Sequence, residues 1–284
     1  MSVVHSFPTE RARLKVRNPA GEVRIETAEV AETTVELVPL NGSDSTRLAI
    51  EQARVEARGD EVFVELQGRS WTISIGDWGV GRSPKVGVRI VCPYGSDLDC
   101  DTAAADVDAT GRLGEVRLRT AAGDVALGHV AGSLQAKSAS GDLHVDRVDG
   151  RAEVHTVSGD VDVRTAAGGL TVNSISGDVE VGAVDGDLSV TSVSGDQRVD
   201  AAGPGDVHLK AVSGDVAVDL RPGLRIRLDV NSVSGSITSG LEVGDAPPAA
   251  DGPEADLRVR TVSGDVRIGR AQSPASSSAK IALA

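Results

Sequence analysis

The chain has 284 residues, 33 of them Gly, with 2% aromatic residues and a formal net charge of −13, so it lacks the basic balance that nucleic-acid phosphates or an anionic membrane surface demand. Its two cysteines, Cys92 and Cys100, are too few for a disulfide framework and read as free, partly buried thiols. No 18-residue apolar window occurs, nor a basic segment followed by an apolar run, so the cytoplasm is the expected address and no membrane span is expected.

Residues 1–100 read as a small N-terminal β domain that caps the remainder of the chain. Residues 13–17 lead through the turn cluster Asn18-Pro19-Ala20-Gly21 into residues 22–26, either a hairpin or a first degenerate coil. Further strands are expected at Thr33–Val38, Leu48–Val55, Glu61–Leu66, Trp71–Ile75 and Val86–Cys92, in an antiparallel arrangement. All the aromatics (Phe7, Phe63, Trp71, Trp78, Tyr94) precede residue 95, which marks a compositional border. Trp71 and Trp78, set among Gly76, Gly79 and Gly81, form either a contact loop or, as favoured, a lid packed over the first coil.

From residue 101 a single phrase recurs. Ser140-Gly141-Asp142, Ser158-Gly159-Asp160, Ser176-Gly177-Asp178 and Ser194-Gly195-Asp196 succeed one another every 18 residues. The beat runs back to Ala122-Gly123-Asp124 and Ala104-Ala105-Asp106, and on, more loosely, to Ser213-Gly214-Asp215, Ser234-Gly235-Ser236 and Ser263-Gly264-Asp265. Such a period predicts a solenoid of about nine coils, each unable to bury its apolar face alone. Within a coil, apolar and polar residues alternate, the mark of a strand with one buried face. Val161, Val163, Ala166, Leu170, Val172 and Ile175 are expected to point inward, and after them Val179, Val181, Val184, Leu188, Val190 and Val193. The fold expected is therefore all-β: a flattened parallel β-helix over 101–270, a rod of roughly 43 Å at the strand spacing of a sheet. Gly suits the sharp corner because it lacks Cβ and tolerates positive φ. Residues 246–254 read as an extruded loop, and 271–284 as a disordered tail.

With these strands in place, the layout resembles the bacterial putative-adhesin family of β-strand-repeat proteins, also catalogued as a domain of unknown function. The resemblance rests on Val86-Gly87-Val88-Arg89-Ile90-Val91-Cys92-Pro93-Tyr94-Gly95, the family's strand before its coils, and on the "SGDVxV" phrases after it. It covers roughly residues 10–269, implies a β-solenoid and a cell-surface role, and supplies no catalytic residues to carry over.

Candidate chemistry is sparse. The corner carboxylates Asp124, Asp142, Asp160, Asp178, Asp196, Asp215 and Asp265 would stack into a column, for which a Ca²⁺ row is one reading. The calcium nonapeptide's second and third glycines are missing, however, and the reading preferred is that each Asp accepts hydrogen bonds from backbone N–H or Ser groups in an Asx-type turn. An outward hydroxyl array is expected at Thr156/Ser158, Ser174/Ser176, Ser192/Ser194, Ser232/Ser234 and Thr261/Ser263, with hydroxyls bonded from coil to coil. Histidines 129, 144, 155 and 208 are not one coil apart and read as surface residues. No nucleophile elbow, Walker loop, H-E-x-x-H or C-x-x-C occurs, so neither an enzyme nor a cofactor is expected. What remains is a binding, adhesion-like or scaffolding surface for an unknown protein or polymer, as a monomeric or weakly self-associating rod. An end-to-end cytoskeletal type of assembly is the alternative, and a polysaccharide-acting β-helix enzyme the remote one.

Overall fold

The computed structural model describes residues 2–66, 84–241 and 252–271. The N-terminal region holds β1 (Val3–Pro8), β2 (Arg13–Ala28), β3 (Glu32–Pro39), α1 (Asp44–Glu51), β4 (Arg54–Arg58), β5 (Glu61–Glu65) and β6 (Val86–Pro93). Then come the long β7 (Asp97–Leu113) and strand pairs that each make one winding: β8 (Val116–Thr120) with β9 (Val125–Val130), and β10 (Leu134–Ser138) with β11 (Leu143–Val148). They continue as β12 (Ala152–Ser158) with β13 (Val161–Ala166), β14 (Leu170–Ser176) with β15 (Val179–Val184), and β16 (Leu188–Ser194) with β17 (Gln197–Ala202). The last are β18 (Gly205–Ser213) with β19 (Val216–Leu220), β20 (Arg225–Ser234) with β21 (Ile237–Ser239), and β22 (Glu254–Ser263) with β23 (Val266–Arg270).

From β7 onward each strand pairs in parallel with the strand one winding away. Leu170 faces Ala152 below and Leu188 above, and Val181 faces Val163 and Val199. The parallel β-solenoid is thus the fold, with one continuous aliphatic core whose members Val163, Ala166, Val172, Val181 and Val184 are wholly buried.

One column is inverted relative to expectation. Ile175 and Val193 are exposed, whereas Ser174 and Ser192 are buried. The alternation set by Leu170 and Val172 continues unbroken to Ser174, so Ile175 falls on the opposite parity and points out. Thr156 and Thr261 are likewise buried, which corrects the outward hydroxyl array: only its second members, such as Ser158, Ser176 and Ser194, face solvent. The inward hydroxyls bond from coil to coil at Ser232, which donates to the Gly264 carbonyl of the neighbouring winding at 3.3 Å, but at Thr156 and Ser174 the bond is local. Thr156 and Ser174 donate to the carbonyls of Ser158 and Ser176, two residues on, both at 3.2 Å, and so hold the corner of their own winding.

The arrangement of residues 2–93 is mixed rather than antiparallel. β2 is a degenerate coil, not a hairpin, and pairs in parallel with β7 on one side and with β5 and β6 on the other. Asn18 fills its corner, donating from Nδ2 to the carbonyls of Glu22 and Val86. Among the described residues antiparallel pairing is confined to β1 with β3, β3 with β6, and β4 with β5. Residues 44–51, expected in part as a strand, form α1. The Ser43 hydroxyl caps it by accepting the Thr46 N–H at 3.2 Å, and the buried Thr46, Ala49 and Ile50 recur at helical rather than alternate spacing. Trp71, Trp78, the strand expected at Trp71–Ile75, most of the expected loop at 246–254 and the tail from 272 lie outside the described residues.

At the far end the windings are out of chain order. β22 pairs with β18 and with β20, and β23 with β19 and β21, so the last winding of the chain is inserted beneath the one before it. Inside the core, Cys92 and Cys100 are free and fully buried. Burial pushes the Cys92 thiol up to about 11 and the Cys100 thiol up to about 12. Both should therefore resist a thiol reagent at pH 8 until the rod unfolds; thiol release measured against denaturant should track the loss of β-sheet circular dichroism.

Candidate binding face

The corner that closes each winding builds a face in three columns. The innermost is the glycine column, where Gly141, Gly159, Gly177, Gly195, Gly214, Gly264 and Gly235 all take positive φ. Beside it runs the aspartate column. Asp178 N–H donates to Asp160 Oδ1 at 2.8 Å and Asp196 N–H to Asp178 Oδ1 at 2.8 Å; the same bond recurs from Asp106 through Asp265, which in turn accepts Ser236 N–H. The hydrogen bonds expected for these carboxylates therefore exist. Their donor is the aspartate N–H of the neighbouring winding, not a group in a local Asx turn, and it offsets the repulsion of stacked charges.

Among the described residues no group of three or more His, Cys, Asp or Glu side chains is placed to hold a metal ion. With one oxygen of each corner carboxylate committed to a backbone N–H, calorimetric titration of the rod with Ca²⁺ should show no saturable heat, and Asp178→Asn should melt within a degree or two of the parent. A stoichiometric Ca²⁺ isotherm lost in Asp178→Asn would establish the cation row instead.

The third column is the inverted one. In stacking order Val157, Ile175, Val193, Val212 and Val262 are each 48–52% exposed, and Val233 on the last winding is 77% exposed. Six branched aliphatic side chains thus form a ridge of roughly 24 Å at sheet spacing. Exposed serines (158, 176, 194, 213, 263 and 234) border it on one side. His155, Asn173, Thr191, Lys210, Arg260 and Asn231 border it on the other. Isolated exposed valines are ordinary, whereas an aligned row of them is a contiguous apolar patch. The row is legible in the sequence: the phrase V/I-S-G-D sits one residue out of phase with the strand before it.

Three of the histidines each face a carboxylate. His129 Nε2 lies 2.7 Å from Asp149 Oδ2, His144 Nδ1 2.8 Å from Asp162 Oδ2, and His155 Nε2 2.8 Å from Glu153 Oε1. The contacts from His129 and His155 hold Asp149 and Glu153 below the usual carboxylate range, and the Ser236 backbone N–H and hydroxyl do the same for Asp265. Depressed folded values contribute stability that is present above the unfolded carboxylate values near pH 4 and lost as pH falls through the folded ones. Urea midpoints measured from pH 5 down to pH 2 should fall, and fall less steeply for Asp265→Asn than for the parent.

The family described as Toastrack DUF4097 matches residues 6–183 and 165–269. No curated protein matches the chain. Among solved structures, a Bacteroides fragilis protein described as a putative adhesin is 10% identical, with 94% of this chain and 97% of that one covered and a TM-score of 0.46. A Parabacteroides merdae protein described in the same words is 10% identical, at 95% and 96% coverage and a TM-score of 0.33. A Parabacteroides distasonis protein described as a putative lipid binding protein is 11% identical, at 92% and 96% coverage and a TM-score of 0.34. No helix among the described residues is long and apolar enough to cross a membrane.

Proposed function

Because the chain belongs to the Toastrack DUF4097 family, whose windings it carries over most of its length, we propose that it is a non-enzymatic β-solenoid serving as a binding and scaffolding surface. The observation that carries this reading is the ridge of Val157, Ile175, Val193, Val212, Val262 and Val233. The windings gain nothing for their own stability by holding a line of aliphatic side chains in water, and a partner that covers the line removes that apolar area from solvent. The regular spacing fits an extended partner, a protein or polymer laid along the rod, better than a compact ligand. The windings β8 to β17 are joined by short corners without inserted loops, which favours a binding surface over a walled catalytic cleft.

The test uses the triple variant Ile175→Gln, Val193→Gln, Val212→Gln, whose changes lie on the solvent side and should leave the melting temperature nearly unchanged. The parent and the variant are compared on immobilised zwitterionic vesicles, peptidoglycan fragments and extracted envelope proteins. Binding by the parent that is lost in the folded variant supports the ridge; binding retained by the variant moves the surface elsewhere. Turnover of any of these materials by the parent would overturn the non-enzymatic reading. End-to-end assembly is the second reading, favoured by β20 and β21, which pair on one side only among the described residues.

A further inference from the structure

The two ends of the solenoid are finished differently. At the N-terminal end the parallel ladder is closed off: β4 lies antiparallel on β5, β3 lies antiparallel on β6, and α1 packs its buried face nearby. At the other end, among the described residues, β20 pairs only with β22 and β21 only with β23. The outer N–H and C=O groups along Arg225–Ser234 therefore face no strand among the described residues, the condition that invites strand addition. The core is also open there. Leu228 stands in register with the buried Leu257 and Ile237 with the buried Val266, yet Leu228 is 42% exposed and Ile237 49% exposed.

The sequence of this edge is complementary to itself. Ile226, Leu228 and Val230 stand in the inward columns, and Arg227 and Asp229 stand outward, opposite Asp256 and Arg258. Neither Arg227 nor Asp229 makes an ion pair among the described residues, whereas Arg258 is engaged by Asp256. We propose that this end docks on the same end of a second copy of the chain, β20 running antiparallel to β20 across a two-fold axis through Leu228. In that register Arg227 of each copy lies opposite Asp229 of the other, Ile226 lies opposite Val230, and Leu228 lies opposite itself. The apolar cores become continuous, and two charge pairs form on the outer face. Registers shifted by one residue set inward side chains against outward ones. Centring the axis on Ile226 puts Arg225 opposite Arg227, and centring it on Val230 pairs neither charge. Since the contact is isologous, it occupies the same end of both copies, and association through it stops at two copies. This inference rests on the end of the rod, whereas the ridge runs along its side and meets β20 only at Val233.

The experiment is light scattering coupled to size exclusion on the full chain over a wide concentration range. The parent should show twice the chain mass at micromolar concentration. Arg227→Asp sets carboxylate against carboxylate twice per interface and should weaken the pair roughly tenfold or more. Adding Asp229→Arg to that variant exchanges the two charges and should restore the pair, which a folding defect would not allow. Leu228→Cys should give a disulfide-linked dimer under mild oxidation, because Cys92 and Cys100 are buried and do not compete. A monomeric mass throughout, a mass that grows without limit, failure of the double exchange to rescue a folded protein, or cross-linking through Val230→Cys but not Leu228→Cys would each overturn the proposal.

Discussion

A rod carrying Val181→Asp is expected to be recovered unfolded or aggregated, with no cooperative melting transition by circular dichroism. Val181 is wholly buried and lies between Val163 and Val199 in the parallel ladder, so the new carboxyl meets aliphatic side chains above and below it. No cation or hydroxyl occupies that column, and a carboxyl there is left without a partner. The cost of burying it, even protonated, is about 4 kcal/mol or more, a large share of the stability of an ordinary domain. In a solenoid the damage also spreads, because each winding is stabilised by its two neighbours and a broken one leaves both with open ends. The neighbouring outward residue provides the control. Glu180→Gln changes the same strand on its solvent side and should shift stability by no more than about 0.5 kcal/mol. A soluble Val181→Asp rod with a normal transition would mean that this valine does not line the core.

Gly177→Ala should be nearly as damaging, for a different reason. A methyl group at this corner would stand 2.3 Å from the carbonyl oxygen of Gly159 in the winding below and 2.8 Å from its carbonyl carbon. The obstruction is backbone and cannot swing aside, and the φ of +116° is one that L side chains rarely adopt. Separating the two windings to make room would stretch the ladder on both faces. A loss of about 3 kcal/mol or more is expected, read as a lower urea midpoint. Gly59→Ala separates the two contributions: Gly59 has a φ of +59° with nothing within 4 Å of the added methyl, so only the conformational cost of about 1–2 kcal/mol remains. Equal losses at positions 59 and 177 would show that close stacking contributes nothing.

The glycine column is a place where the sequence points to the right outcome through an incomplete cause. The corner exists where the phrase predicts it, but the space each glycine preserves belongs to the carbonyl of the adjacent winding, not to the core. Ala105 makes the same point. β7 runs as one strand through its corner without positive φ, so alanine is accepted there and the phrase loses its glycine. Ile175 and Ser174 differ in kind. Both are readable by parity, and ranking hydrophobicity above phase sends the one apolar ridge of these windings into the interior. In α1 the capping Ser43 and the spacing of Thr46, Ala49 and Ile50 carry a helical signal that the β-rich surroundings obscure.

The amino-acid order alone determined the winding. An 18-residue period with alternating aliphatic residues and a glycine corner admits one economical solution, in which each coil buries the apolar face of the next. Only the tertiary structure decided the order of the windings and the finish of the ends. β22 slipped between β18 and β20, and β5 and β6 settled outside β2, although both come later in the chain. The physical reason is that a parallel ladder is bonded through backbone N–H and C=O groups that every residue shares. Any strand of matching phase fits beside any other, and the local sequence carries no mark of which neighbour it will take.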